Sequence, residues 1–239
     1  MKKLDIIATI KDGIALGLVN YLSILCAAVL YLLTIWIPYL NVGTTIAMAS
    51  LPAEMAKGNV INPLFIFDGK FRRNMGEFFI LMSLMAGAIG VGYLFGIIPG
   101  LVLGVAWSFA VVLFVDKDRN ALEALRESNN ITYGNKWRIF WAEALPAIAL
   151  CIVVGIVGAL FGIGEIKALE VIGAIINVIL ALFIVPLIYG IEAVIYKRLA
   201  LGEAEAEVKV PAAPKAEKPA KAPAKKPAAR KPAAKKAEK

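Results

Sequence analysis

The sequence predicts an all-α, polytopic membrane bundle of about six transmembrane helices in three hairpins, followed by a disordered C-terminal tail. Two observations carry that expectation. Hydrophobic residues make up 60% of the chain and mean hydropathy is +0.75, whereas soluble domains hold roughly 45–50% apolar residues. Lys and Arg also alternate between the stretches that join the apolar segments. Lys2, Lys3 and Lys11 precede the first; Lys57, Lys70, Arg72 and Arg73 separate the second from the third; Lys117, Arg119, Arg126, Lys136 and Arg138 separate the fourth from the fifth. The opposite connections carry only Lys167. Cationic segments next to a helix end resist translocation, so both termini are expected in the cytoplasm.

Taken in order, residues 1–17 read as a cytoplasmic amphipathic segment, with Leu4, Ile6, Ile7, Ile10 and Ile14 at helical spacing opposite Lys3, Asp5, Lys11 and Asp12. No small-residue cleavage pattern follows, so the first span is expected to act as its own insertion signal. The transmembrane domain then occupies 18–200, with spans at about 18–37, 40–56, 78–97, 100–115, 139–161 and 170–196. Four of these approach or exceed the ~20 residues that cross ~30 Å of hydrocarbon. Segments 40–56 and 100–115 are shorter, and the former carries Asn41, Thr44, Thr45, Ser50, Pro52 and Glu54. Its rival is a re-entrant hairpin, but a five-span count would put the Lys-bearing amino terminus on the wrong side.

Pro38 and Pro99 stand where a helix ends or begins at the outer face, and Pro186 sits inside the last span. The stretches 37–43 and 98–104 share a Pro and a Gly five apart, and 185–190 echoes them with one residue fewer. Gly92 and Gly96, Gly100 and Gly104, and Gly158 and Gly162 are spaced i, i+4, which favours close helix contact within the chain or, as the alternative, a homodimer face.

Between the fourth and fifth spans a cytoplasmic surface helix is expected at about 118–133, with Ala121, Leu122, Leu125 and Ser128 on one face. Asp118 or Asn120 is placed to cap its start, and Gly134 to end it in the left-handed conformation. Trp137, Phe140 and Trp141 then fall where an aromatic belt would lie. Arg126, Lys136 and Arg138 make this segment a candidate interfacial site for a partner or a headgroup.

The run Ile98-Pro99-Gly100, the acidic Asp116 and Asp118, and the pattern Glu123, Ala124, Leu125, Arg126, Ser128, Ile131, Thr132, Gly134, Trp137 resemble a family of prokaryotic six-helix membrane proteins. That module is similar to the membrane domain preceding the catalytic domain of membrane-anchored glycerophosphodiester phosphodiesterases. The resemblance covers about 14–198 and implies a six-helix fold. It does not extend to the phosphodiesterase activity, because the chain lacks that domain and has no His.

Absence of His removes the commonest general base and metal ligand, and Cys26 and Cys151 lie inside spans as small apolar side chains. No cofactor, metal site or catalytic residue is expected, and the chain is not expected to be an enzyme. Glu143 and Glu192 stand one or two turns inside the cytoplasmic boundary on successive antiparallel spans. Either they pair with Arg138, Lys197 or Arg198, or together they form a shallow cation or headgroup site. Asn20 and Asn177 read as hydrogen-bonding groups between helices.

From 201 to 239 the composition turns to Ala, Pro, Lys and Glu, and residues 203–239 hold 11 Lys plus Arg against 5 Glu. Such a segment has too little apolar bulk to fold. Its expected partners are anionic lipids or another polyanion, bound by charge. Without aromatic residues it lacks a platform for sequence-specific nucleic-acid recognition. The expected role is an accessory or scaffold component of a membrane complex or lipid surface, alone or as a homo-oligomer. A transporter of small solutes or lipids is the alternative, with Asn20, Ser23, Thr34, Thr44, Thr45, Ser83, Ser108 and Asn177 as its interior polar groups.

Overall fold

Asp5 starts the first helix, because its carboxylate accepts from the Ala8 N–H at 3.0 Å and so satisfies one of the donors that a helix N-terminus leaves open. The computed structural model describes residues 3–162 and 167–202; residues 163–166 of the connection expected between the fifth and sixth spans, and all but the first two residues of the tail expected at 201–239, lie outside the described residues. Helix α1 runs Ile6–Val19, α2 Tyr21–Thr34 and α3 Pro38–Ala56. A 3-10 turn, Pro63–Phe67, and the short α4, Lys70–Arg73, lead to α5, Met75–Leu94. There follow α6, Ile97–Ala106; α7, Ala110–Asp116; α8, Ala121–Thr132; α9, Lys136–Gly162; and α10, Lys167–Ala200. Every regular element among the described residues is helical.

Four helical stretches are long and apolar enough to cross a membrane: Met75–Leu94, Ile97–Asp116, Lys136–Phe161 and Val171–Ala200. A fifth arises if α1 and α2, bent by 70° at Asn20, make one span. The first apolar run therefore does not form the single straight rod expected at 18–37. Asn20 is fully buried in the bend, donating to Leu16 O at 3.2 Å and accepting from the Ile61 N–H at 3.1 Å. The Asn20 N–H still reaches Leu16 O at 3.3 Å and its carbonyl accepts from the Ile24 N–H at 2.9 Å, so the side-chain amide adds a tie from the bend to the backbone at Ile61, as expected of a group that satisfies backbone in an apolar setting.

Helix α3 is 19 residues long but does not join that set, because of its polar residues. The structure accommodates these by enclosing the helix: Thr44, Ser50, Leu51, Pro52 and Met55 are all buried. Ser50 Oγ donates to Ala47 O at 2.7 Å, Thr45 Oγ1 to Asn41 Oδ1 at 3.1 Å, and Thr34 Oγ1 meets Thr44 Oγ1 at 3.3 Å across α2 and α3. Two polar groups expected to line a transport path, Thr34 and Thr44, thus meet between helices, and Thr45 is bonded within α3.

Helix α1 lies antiparallel along the second half of α10, with Gly13 against Ile191 and Gly17 against Pro186. Tyr21 continues the seam by stacking on Phe183 at 4.7 Å. On the other side of the molecule α5 and α6 form a hairpin whose turn is Gly96 at φ 136°, a conformation that suits glycine. A Cβ on Gly92 would stand 3.0 Å from Gly100 Cα, so this expected close approach is present. Gly104 has open space beside it and Gly158 has only the Asn177 amide at 3.6 Å, so neither of these two glycines marks a backbone contact.

Burial is uneven along the helices. Phe109, Leu113, Ile139, Ile191 and Tyr196 are at most 1% exposed, whereas Leu94, Phe95 and Ile97 at the α5–α6 turn exceed 75%. The described part of the α9–α10 hairpin beyond Pro146 similarly turns Ile148, Ile152, Ile156, Ile175 and Ile179 outward. The well-packed core therefore sits at the end that carries the charged residues.

Candidate functional site at the charged end of the helices

Three helices that the chain separates widely meet at Asp116, the last residue of α7, whose side chain is 6% exposed. Its Oδ2 accepts from the Tyr196 hydroxyl of α10 at 2.6 Å, and its Oδ1 pairs with Lys57 Nζ just past α3. Lys57 also stands 3.5 Å from Glu54, which in turn accepts from Asn59 Nδ2 at 2.9 Å. Burial works to lower the Lys57 pKa, but hydrogen bonding to Asp116 and the charges of Asp116 and Glu54 outweigh it and hold the ammonium above its ordinary 10.5.

The surface helix docks beside this junction as α8. Asn120 is the capping residue, accepting from the Glu123 N–H at 2.9 Å, while Glu77 of α5 accepts from the Ala121 N–H at 2.8 Å. Gly134, at φ 78°, follows its end as expected. Ala121, Leu125 and Ser128 are buried, but Leu122 is 58% exposed, so the expected apolar face is rotated away from it. The docking has a specific cause. The break between α6 and α7 redirects the Ala110 N–H to Trp107 O, which frees the Ala106 carbonyl. Ser128 Oγ fills that gap at 2.8 Å and Thr132 Oγ1 adds a longer bond at 3.4 Å.

Several of the basic residues serve as clamps. Arg138 Nη1 donates to Leu4 O at 2.7 Å and Asn135 Oδ1 accepts from the Leu4 N–H at 2.9 Å, so the start of α9 pins the chain ahead of α1. Arg198 reaches Thr9 Oγ1 at 2.7 Å and Asp12 at 2.5 Å. Glu127 takes Lys117 at 2.5 Å and Arg119 at 3.0 Å; the Lys117 hydrogen bond, chiefly, holds its carboxyl below 4.5. Arg138 is therefore part of the scaffold and is separated in role from Arg126 and Lys136. Those two flank Asn129: Lys136 Nζ donates to Asn129 Oδ1 at 2.9 Å, and Arg126 is exposed with no ion pair among the described residues. Both Arg126 and Asn129 line a groove that runs between α8 and α6.

Glu143 and Glu192 come within electrostatic reach of each other on α9 and α10. Glu143 Oε1 is buried and has no hydrogen-bond partner among the described residues. The simple pairing with Arg138 or Arg198 is not made, because those guanidinium groups are turned to Leu4 and to Thr9 and Asp12. Asn177 Oδ1 is likewise buried and unbonded, so its amide does not complete the contact expected between helices. Among the described residues no three His, Cys, Asp or Glu side chains gather as a metal-holding group.

No family model, curated protein or solved structure matches the chain. The resemblance drawn from 98–137 accordingly rests on those residues alone. Several of them have a physical role here: Gly100 lets Tyr93 pack against α6, Asp116 joins three helices, Asp118 accepts from Asn74 at 3.1 Å, and Ser128 and Thr132 bind the Ala106 carbonyl. The residues that the sequence did not single out are Lys57 and Tyr196, partners of Asp116 from distant segments. A carboxylate ending the apolar run before Lys117 was the available signal.

Proposed function

We propose that this chain is a noncatalytic, multi-pass protein of a prokaryotic cytoplasmic membrane that serves as an accessory or scaffold component of a membrane complex or lipid surface. In this reading it has six spans, both termini face the cytoplasm, and the family resemblance is one of fold without phosphodiesterase chemistry. The observation that carries the proposal is the division of the molecule. Its charged end is rigidly tied by Asp116, Arg138 and Arg198, while its remaining helices turn apolar side chains outward as lipid requires. The basic segment 203–239 would add attraction to anionic lipid, at roughly 1 kcal/mol per basic residue held near the surface.

Affinity purification of the intact protein from its native membrane in mild detergent, with mass spectrometry, tests this reading. A stoichiometric protein partner or an enriched anionic lipid is expected. In parallel, deletion of 203–239 should weaken association with anionic vesicles; unchanged association removes the electrostatic role of the tail.

A second reading, transport or binding of a small cation through a shallow cytoplasmic-side site, is favoured by one observation, the buried and unbonded Glu143 Oε1 on the helix packed against the one that carries Glu192. On this reading Na+, Mg2+ or a polyamine raises the Tm of the detergent-solubilised protein, and Glu143→Gln or Glu192→Gln abolishes the increase. Equal shifts in wild type and variants sink it.

A further inference from the structure

We propose that the groove between α6 and α8 binds one anionic phospholipid, its phosphate held by Arg126 and Lys136 and one acyl chain laid along Leu103, Trp107 and Leu122. The proposal deepens the lipid-surface reading above and rests on it.

The groove measures ≈ 370 Å³ and is lined by Leu103, Trp107, Leu122, Leu125, Arg126 and Asn129. Its wall is thus apolar for most of its length and cationic at one end, the distribution of a phospholipid in reverse charge. No carboxylate lines it. The acidic residue next to Arg126, Glu127, is already shared between Lys117 and Arg119, so it does not compensate the guanidinium. Lys136 is held by the neutral Asn129 amide, which fixes its ammonium at the rim without cancelling its charge. Guanidinium and ammonium groups set around one amide can take a phosphate with charge-assisted hydrogen bonds.

Placement identifies the source of the phosphate. Leu103 and Trp107 belong to Ile97–Asp116, a stretch able to cross a membrane, while Arg126 and Asn129 belong to the polar helix beside it. A ligand lying in this groove touches an apolar membrane helix and a charged surface helix at once, as a lipid does at its glycerol level. Leu122 would otherwise be an unexplained exposed leucine on a helix that buries Ala121, Ala124 and Leu125 and half-buries Ile131. Trp137, 55% exposed near Lys136 in sequence, suits the same depth.

The test is native mass spectrometry of the delipidated full chain titrated with dioleoylphosphatidylglycerol or dioleoylphosphatidylcholine. Wild type should show one saturable phosphatidylglycerol bound at least tenfold more tightly than phosphatidylcholine. Arg126→Gln should lose about tenfold in affinity, Arg126→Lys should recover part of it, and Leu122→Gln should weaken binding while leaving the Tm unchanged. Glycerol phosphate at matched concentration should not compete; if it does, the acyl contact is wrong. Wild-type affinity in both Arg126→Gln and Leu122→Gln overturns the groove as the site and leaves the lipid-surface reading standing. Equal binding of the two lipids by wild type overturns the proposal together with that reading's lipid arm, leaving a protein partner. A dimer that either variant dissociates would assign the groove to a second copy instead.

Discussion

Gly190→Ala is expected to separate α1 from α10 and to cost about 3 kcal/mol, the upper part of the usual range for overpacking a tight interface. A Cβ on Gly190 would overlap the Gly13 carbonyl oxygen and lie 2.8 Å from Gly17 N. These are backbone atoms of a helix, so no rotamer change relieves the clash. Gly13 and Gly17 are equally confined from the other side, by Ile191 and by the Pro186 carbonyl. Three glycines therefore let two backbones touch, which supplies van der Waals contact where lipid gives no hydrophobic drive for helix association. The control is Gly87→Ala, on a helix face with nothing within 4 Å, which should be neutral or mildly stabilising. Thermal unfolding in detergent and limited proteolysis of the amino-terminal segment check both. A Gly190→Ala protein that melts with wild type and keeps its amino terminus protected would mean that the α1–α10 crossing is loose.

That crossing also shows what the sequence disclosed and what it withheld. Glycines spaced i, i+4 were read as packing sites on α5 and α6, and Gly92 and Gly100 do meet there. Gly13 and Gly17 have the same spacing but fall in a segment whose charges suggested a helix at the surface. Spacing marks where a close approach is allowed, while the partner, Gly190, lies more than 170 residues away and leaves no local trace. The same reasoning applies to α8. Its capping by Asn120 and its stop at Gly134 are local chemistry and were legible. That Ser128 and Thr132 face the Ala106 carbonyl depends on a helix break at Trp107–Phe109 that no proline or glycine announces. For the candidate sites, Arg126, Lys136 and Arg138 were legible as a basic group. Their division into groove and clamp was not, because it depends on Leu4 approaching α9 in three dimensions.

Asp116→Ala should be the second large effect, about 3 kcal/mol, because it leaves two groups without the partner that justifies their position. The Tyr196 hydroxyl belongs to a residue with no exposed surface, and an unpaired buried donor costs roughly 1–3 kcal/mol. Breaking a buried ion pair costs roughly 3–5 kcal/mol, but Lys57 is 39% exposed and water takes up part of that loss. The order expected is Asp116→Ala worst, Asp116→Asn intermediate, and Tyr196→Phe mildest at about 1 kcal/mol, since only the last leaves the ion pair intact. Alkaline titration separates the charge contribution from simple packing. Because Lys57 has its folded pKa raised above 10.5, its stabilisation is complete below 10.5 and is lost as pH rises through the folded value. The Tm difference between wild type and Lys57→Gln should therefore be constant from neutral pH to about 10 and shrink above it. If the two curves stay parallel through pH 11, Asp116 acts by filling space between α3, α7 and α10, and its charge contributes nothing to their junction.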